Sequence, residues 1–346
     1  MPGVFSKKPR MLLGLDIGST SVKLLELGGT RSRYQVEAFA IEPLPANALV
    51  ERAIVEPELV ARAVSRLVTK AHARSRHVAV AVSGPAVITR MLDMPAGLSA
   101  DELEIQLRVD ADQYIPYPLD DVALDFHVIG TCADNPGRVN VLLAACRRER
   151  VEMLEAVLDL AGLVPAVVDV EAHAWQRAVA LLPGLQGAAV ALIDIGTHLT
   201  TLHVLCNGLI VHSREHLFGG RQLAGDIQRH LGRDGELAVR VEEWSGDHSA
   251  EILQPSGDRL LQQIFRSLQG YVDSDPARRV ERVLLAGGGA SIDGLAPMVE
   301  RCLDIPTQVA NPFVDMTLAP QVNPVALVDA APALVIACGL ALRSFD

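Results

Sequence analysis

MLLGLDIGSTSVKLLEL, Met11 to Leu27, makes sense as a strand, a phosphate-sized turn and a returning strand. Leu12, Leu13 and Leu15 form an apolar run short enough for a buried strand, and the run ends in Asp16, Ile17 and Gly18. Glycine permits a tight turn and a close approach of backbone to ligand, so successive N–H groups can point at one anion. Ser19, Thr20 and Ser21 follow at once and can donate to phosphate oxygens. A cousin lies further on, where Ala189 to Leu205 reads AVALIDIGTHLTTLHVL. Sliding one onto the other places Asp16 on Asp194 and Gly18 on Gly196, an offset of 194 − 16 = 178. Such self-similarity marks an internal repeat.

A carboxylate beside a phosphate repels it unless a divalent cation sits between, and Mg²⁺ binds through one or two carboxylates while keeping several waters. Asp16 and Asp194 are therefore the expected metal ligands of a metal-nucleotide complex gripped from two sides. Gly18, Ser19, Thr20 and Ser21 form one grip; Gly196, Thr197 and Thr200, with Thr201 beside them, form the other. Lys23 occurs in the first copy only, with Thr201 in the matching place, so a single ammonium neutralises phosphate charge from one side. The alternative is that D-I-G merely closes a hairpin, since Asp and Gly are default turn residues. Two copies so alike argue against it.

At 346 residues the chain exceeds one ordinary core, so at least two domains are expected. A composition 49% hydrophobic and 21% charged is globular rather than disordered. The net charge of −11 argues against a nucleic-acid or lipid-surface footprint. Cys132, Cys146, Cys206, Cys302 and Cys338 contain no C-x-x-C and fit reduced, mostly buried thiols. Lys7, Lys8 and Arg10 before an apolar run imitate a signal peptide, but Asp16 interrupts the run. Val325 to Leu342 is membrane-like in texture, yet Asp329 and Pro332 interrupt it, and it reads as a buried helix.

In chain order the pattern predicts β-β-β-α-β up to Val82, with the helix over Pro57 to Arg74. An α/β unit of its own follows, with Ser99 and Glu102 forming a capping box and Val122 to Ile129 and Arg138 to Ala145 as strands. The parent sheet resumes at Val164 to Val170, and a helix starts near Asp169 and Glu171. Small residues beside two carboxylates would suit the floor of a cleft, although an ordinary acid-rich helix N-terminus accounts for either carboxylate alone. After the second turn, Gly219 and Gly220 precede a helix, further helices cover Glu236 to Trp244 and Glu251 to Tyr271, and Gly287, Gly288 and Gly289 follow a buried strand. The glycine pair can let backbone approach an adenine or ribose, or can simply be a loop, and the triple glycine forms a third ligand-shaped loop.

This constellation resembles the actin, Hsp70 and sugar kinase superfamily of ATP-binding proteins, in which two related lobes clamp Mg-ATP. The resemblance implies an actin-like, ribonuclease H-like duplicated α/β ATPase fold. Within it the chain is most similar to the PilM family of type IV pilus assembly, and next to FtsA of cell division. The PilM-like features are Gln113 to Pro118, Leu124 to Val128, Val168 to Glu171, Phe218 to Leu223 and Ala310 to Phe313. The implied organisation is a first lobe over 1–89, 163–186 and 331–346, an inserted subdomain of the FtsA and PilM type over 90–162, and a second lobe over 187–330.

The resemblance further implies ATP and Mg²⁺ in the cleft, slow or negligible turnover, and a groove for the N-terminal cytoplasmic peptide of the membrane protein PilN. It places the chain in the cytoplasm beside other pilus inner-membrane components, with membrane contact only through partners, no nucleic acid, and self-association left open. Hydrolysis would need a carboxylate to orient water, for which Asp194 and Glu171 are the candidates. The competing expectations are an FtsA-like protein, a small-molecule kinase or true ATPase, and the cytoplasmic part of a type II secretion protein. The first and last call for membrane segments beyond the last helix, and the sequence stops at Asp346.

Overall fold

The computed structural model describes residues 11–31, 33–111, 113–132, 135–185, 187–230, 249–274 and 279–346. The helix expected over 236–244 lies outside them. In chain order the first part runs β1 (Leu13–Ile17), β2 (Ser21–Thr30), β3 (Arg33–Pro43), β4 (Leu49–Val50), β5 (Ala53–Ile54), α1 (Pro57–Ala71) and β6 (His77–Val82). Next come β7 (Val87–Pro95), α2 (Ala100–Ala111), β8 (Val122–Cys132), β9 (Asn135–Arg147), α3 (Arg148–Leu160), β10 (Val164–Val170) and α4 (Glu171–Val179). The remainder is β11 (Ala189–Ile195), β12 (Thr200–Cys206), β13 (Leu209–His216), α5 (Gly220–His230), α6 (Ser249–Ser274) and β14 (Arg282–Ala286). It closes with α7 (Leu295–Leu303), β15 (Thr307–Val309), β16 (Thr317–Leu318), α8 (Pro324–Ala330) and α9 (Val335–Ala341).

Two sheets carry the repeat. One has the order β10-β6-β1-β2-β3-β16 and the other β15-β14-β11-β12-β13. Each is centred on a hairpin, β1 with β2 or β11 with β12, because a short turn can only return the chain antiparallel. Each central strand also takes a parallel neighbour after a helical crossover, β6 beside β1 and β14 beside β11. A third sheet, β7-β9-β8, has its own small core with α2 through Leu92, Met94, Leu103, Leu107, Val141 and Leu143. Its helix starts in the expected capping box, where the Ser99 N–H donates to Glu102 Oε2 at 2.8 Å and the Glu102 N–H to Ser99 Oγ at 3.3 Å. α3 packs its buried face, Leu154, Val157 and Leu158, into the core that holds α1.

The central strands are apolar on both faces because both faces are covered. Leu13, Leu15, Val22 and Leu24 point toward α1, whereas Leu25 and Leu27 share a core with Trp175, Ala337 and Leu340. β11 alternates in the same way, Val190 and Leu192 joining that shared core and Ala191, Ile193 and Ile195 facing α6 and α7. α4 and α9 thus contribute to one core with residues of both sheets, and their small residues set the spacing. A Cβ on Gly339 would lie 1.8 Å from the Ala174 carbonyl oxygen, and one on Gly14 would lie 2.0 Å from that of Ala337.

The membrane-like segment is accounted for by that packing. Pro324–Phe345 is a helical run long and apolar enough to cross a membrane, and 67% of its apolar window is buried inside the fold. It is not one regular helix: Pro332 falls in a 3₁₀ turn, Ala331–Leu334, that separates α8 from α9. Asn323 starts α8, its side chain accepting from the N–H groups of Val325 and Ala326.

Candidate functional site

The two D-I-G turns are built alike down to single hydrogen bonds. Asp16 pairs with Lys23 across the first hairpin and Asp194 with Thr201 across the second, and both residues of each pair differ by 178 (194 − 16 and 201 − 23). The Gly18 N–H donates to the Ser21 carbonyl at 3.0 Å, and the Gly196 N–H to the Leu199 carbonyl at 2.9 Å. The copies face each other closely enough for the hydroxyls of Thr20 and Thr197 to lie 2.7 Å apart.

The other glycine clusters converge on the second turn. The Gly220 N–H donates to the Gly196 carbonyl at 2.8 Å and that of Arg221 to the Thr197 carbonyl at 2.9 Å. A Cβ on Gly219 would lie 2.5 Å from the Gly196 carbonyl oxygen, so only glycine allows this crossing. Gly287, at φ +79°, would set a Cβ 2.3 Å from Asp194 Oδ1, and Gly289 would set one 2.4 Å from Ile195 Cγ2. Gly288 is different: it is exposed, and a Cβ there would meet nothing within 4 Å. Backbone therefore lines the cleft beside Asp194 with one face left open.

Charge is concentrated at the same place. Lys23 Nζ lies 2.8 Å from Asp16 Oδ2. Burial works against this ammonium, but Asp16, then Asp194 and Glu171, outweigh it and hold its pKa above the ordinary value. Asp194 shows the opposite strain. Burial and the neighbouring Glu171 push its pKa up to about 7, against the pull of Lys23 and Arg52. A divalent cation beside Asp194 would relieve that repulsion, and this is chemistry that suits a magnesium keeping most of its waters.

Among the expected site residues, Thr200 is turned away from the cleft. It is buried, and its hydroxyl donates 2.7 Å to the Phe218 carbonyl, so it ties the second hairpin to the glycine pair instead of reaching a ligand. The alternation along β12 is the reason, since Thr200 is already a strand residue paired with His216. Ser19, Thr20, Ser21 and Thr197 remain part-exposed along the two turns. The two carboxylates at the junction of β10 and α4 part company. Glu171 faces the cleft, while Asp169 is held by Arg177 and lies 3.8 Å from His173 and 3.6 Å from Arg343, tying α4 to the C-terminal segment.

Sequence reasoning missed Arg52 and Glu215. Arg52 sits at the tip of the two-residue β4–β5 hairpin, donates to Glu171 Oε2, and lies 3.7 Å from Glu215 Oε1 on β13. Strands of two residues carry no periodicity that could have announced the hairpin.

The fold and this cleft can be set beside known proteins. One structure, described as a PilM-PilN type IV pilus biogenesis complex, is 30% identical, with 98% of this chain and 100% of that chain covered at a TM-score of 0.80. Ethanolamine utilization protein EutJ from Carboxydothermus hydrogenoformans shares the fold at 17% identity and a TM-score of 0.59, over 96% of this chain and 89% of its own. The cell division protein FtsA of Pseudomonas aeruginosa is 23% identical over 88% of this chain and 84% of its own. The fold is that of the actin-like ATPases, duplicated lobes included. The sequence model of the family described as "Type IV pilus assembly protein PilM" matches residues 14–345, from the strand before the first D-I-G turn to the last helical turn. The chain therefore belongs to the PilM family of type IV pilus assembly proteins.

Proposed function

We propose that this chain is a cytoplasmic, ATP-binding scaffold of type IV pilus assembly, which holds the N-terminal cytoplasmic peptide of PilN and reaches the inner membrane through such partners. The observation that carries this reading is the likeness along 98% of the chain to a protein solved in a PilM-PilN complex. Peptide capture suits the architecture, because β7 and β8 are the edges of the small sheet and a strand edge can accept an extended segment.

The cleft is the nucleotide site in this reading. Backbone N–H groups of the two D-I-G turns, the hydroxyls of Ser19, Thr20, Ser21 and Thr197, and Lys23 hold phosphate. Asp16 and Asp194 hold Mg²⁺, whose charge neutralises the phosphates when bound. Gly219, Gly220, Gly287, Gly288 and Gly289 offer backbone to the nucleoside. Glu171 and Asp194 are the carboxylates that could orient water. Slow or negligible turnover is part of this reading. Self-association and contact with further inner-membrane pilus components belong to the same reading.

A pull-down of purified protein on the immobilised N-terminal peptide of PilN, with and without Mg-ATP, tests it. Specific retention is expected, changed by nucleotide. Phosphorylation of a sugar, or ATP turnover at about 1 per second or faster, would make it an enzyme instead.

A further inference from the structure

The side chain of Arg52 is placed in the cleft at a conformational cost. β4 and β5 are joined by only Glu51 and Arg52, with Val50 paired to Ala53 across the turn. Both loop residues are left-handed, Glu51 at φ +48° and Arg52 at φ +64°, a geometry for which Asn-Gly is the ordinary sequence. A Cβ in that region is disfavoured, and such positions persist where the side chain has a task. Here the guanidinium reaches Glu171 on the cleft floor and Glu215 on β13, so one side chain links residues of both lobes. Lys23 pairs with Asp16 in the first turn at 2.8 Å, with Asp194 and Glu171 near enough to act on its charge. The cleft thus has two cations among its acids, Lys23 paired with Asp16 and Arg52 with Glu171 and Glu215.

We infer that Arg52 is the residue that distinguishes a nucleoside triphosphate from a diphosphate, by giving its guanidinium to the terminal phosphate. This rests on the nucleotide site proposed above. In that site Glu171 stands beside the phosphate open to water, and Arg52 is the cation attached to Glu171. Its planar fork matches two phosphate oxygens as well as it matches a carboxylate. A terminal phosphate entering the cleft competes with Glu171 for the fork, and the diphosphate lacks the oxygens to do so. Lys23, at the base of the first turn, serves the phosphates common to both.

Calorimetric titration with Mg-ATP and Mg-ADP tests this on the full chain. Arg52→Gly suits the left-handed turn, so the hairpin is retained while the cation is lost. It is expected to weaken ATP about ten- to a hundredfold, the size of one charge-assisted hydrogen bond, and to leave ADP within about threefold. Arg52→Lys should fall between the two. Glu51→Gly relaxes the same turn and should leave the ATP-to-ADP ratio unchanged. Equal losses for both nucleotides, no loss for either, or the same change in Glu51→Gly would overturn the assignment to Arg52. If Asp194→Ala abolishes binding of both nucleotides in that same experiment, the site itself stands whatever Arg52 does. If the unsubstituted protein binds neither nucleotide, site and inference fall together.

Discussion

The hydroxyl oxygens of Thr20 and Thr197 lie 2.7 Å apart, although 177 residues separate them in the chain. Each stands in its own D-I-G turn, and the turns repeat each other's register and hydrogen bonding. The contact fixes the two turns mouth to mouth. With the Gly18 and Gly196 N–H groups spent on carbonyls of their own turns, an anion held there would draw on the remaining polar groups of both halves of the duplication.

Gly287 and Gly288 are neighbours with opposite expected behaviour. Gly287→Ala forces a Cβ to 2.3 Å from Asp194 Oδ1 at φ +79°, and should destabilise the fold by about 2 kcal/mol or more. Gly288→Ala meets nothing within 4 Å and should leave stability within about 0.5 kcal/mol. If the open face beside Gly288 receives nucleotide, its methyl should still weaken Mg-ATP about tenfold. Thermal melts and titrations of both variants check this, and equal melting losses would contradict the geometry.

Asp194 should trade stability for binding. Its pKa is raised to about 7 in the fold, so the native state binds more protons than the unfolded chain between the ordinary carboxylate range and pH 7. Its contribution is fully present at low pH and is lost as pH rises through about 7. Asp194→Asn removes the charge and should gain about 1–3 kcal/mol at pH 8, with the gain shrinking toward pH 5, while Mg-ATP binding is lost. Denaturant unfolding at the two pH values decides it; a variant less stable at pH 8 than at pH 5, relative to the parent, would be the wrong sign.

His203 supplies an acid limb. It is buried, with its Nδ1 2.8 Å from Ser213 Oγ, and burial, then the charge of Arg52, lowers its pKa to about 4. The unfolded chain takes up the proton first as pH falls, so stability should drop by about 2 kcal/mol between pH 7.5 and pH 5 from this residue alone. His203→Asn should remove that part of the slope. An unchanged slope would mean that the ring is protonated in place.

The duplication was legible because it lies in short contiguous stretches: apolar run, acid, glycine, hydroxyls. The capping box of Ser99 and Glu102 was legible for the same reason, being local. The bond from the Thr200 hydroxyl to the Phe218 carbonyl was not legible, because sequence shows a hydroxyl near the turn but not the strand face on which it falls. Arg52 was invisible: its partners are 119 residues away at Glu171 and 163 (215 − 52) away at Glu215, and its hairpin is too short to show a pattern. The C-terminal segment was read as one buried helix; 67% of its apolar window is buried, Val325 and Val328 stay exposed, and the 3₁₀ turn at Pro332 that divides it depends on how α8 and α9 pack.

The central claim is that the two D-I-G turns hold one magnesium nucleotide between them. Calorimetric titration of Mg-ATP into the protein and into Asp16→Ala, Lys23→Ala and Asp194→Ala tests it most directly. Binding by the parent and a loss of about tenfold or more in each variant, with each still folded, is the result expected. Unchanged affinity in all three would contradict the account.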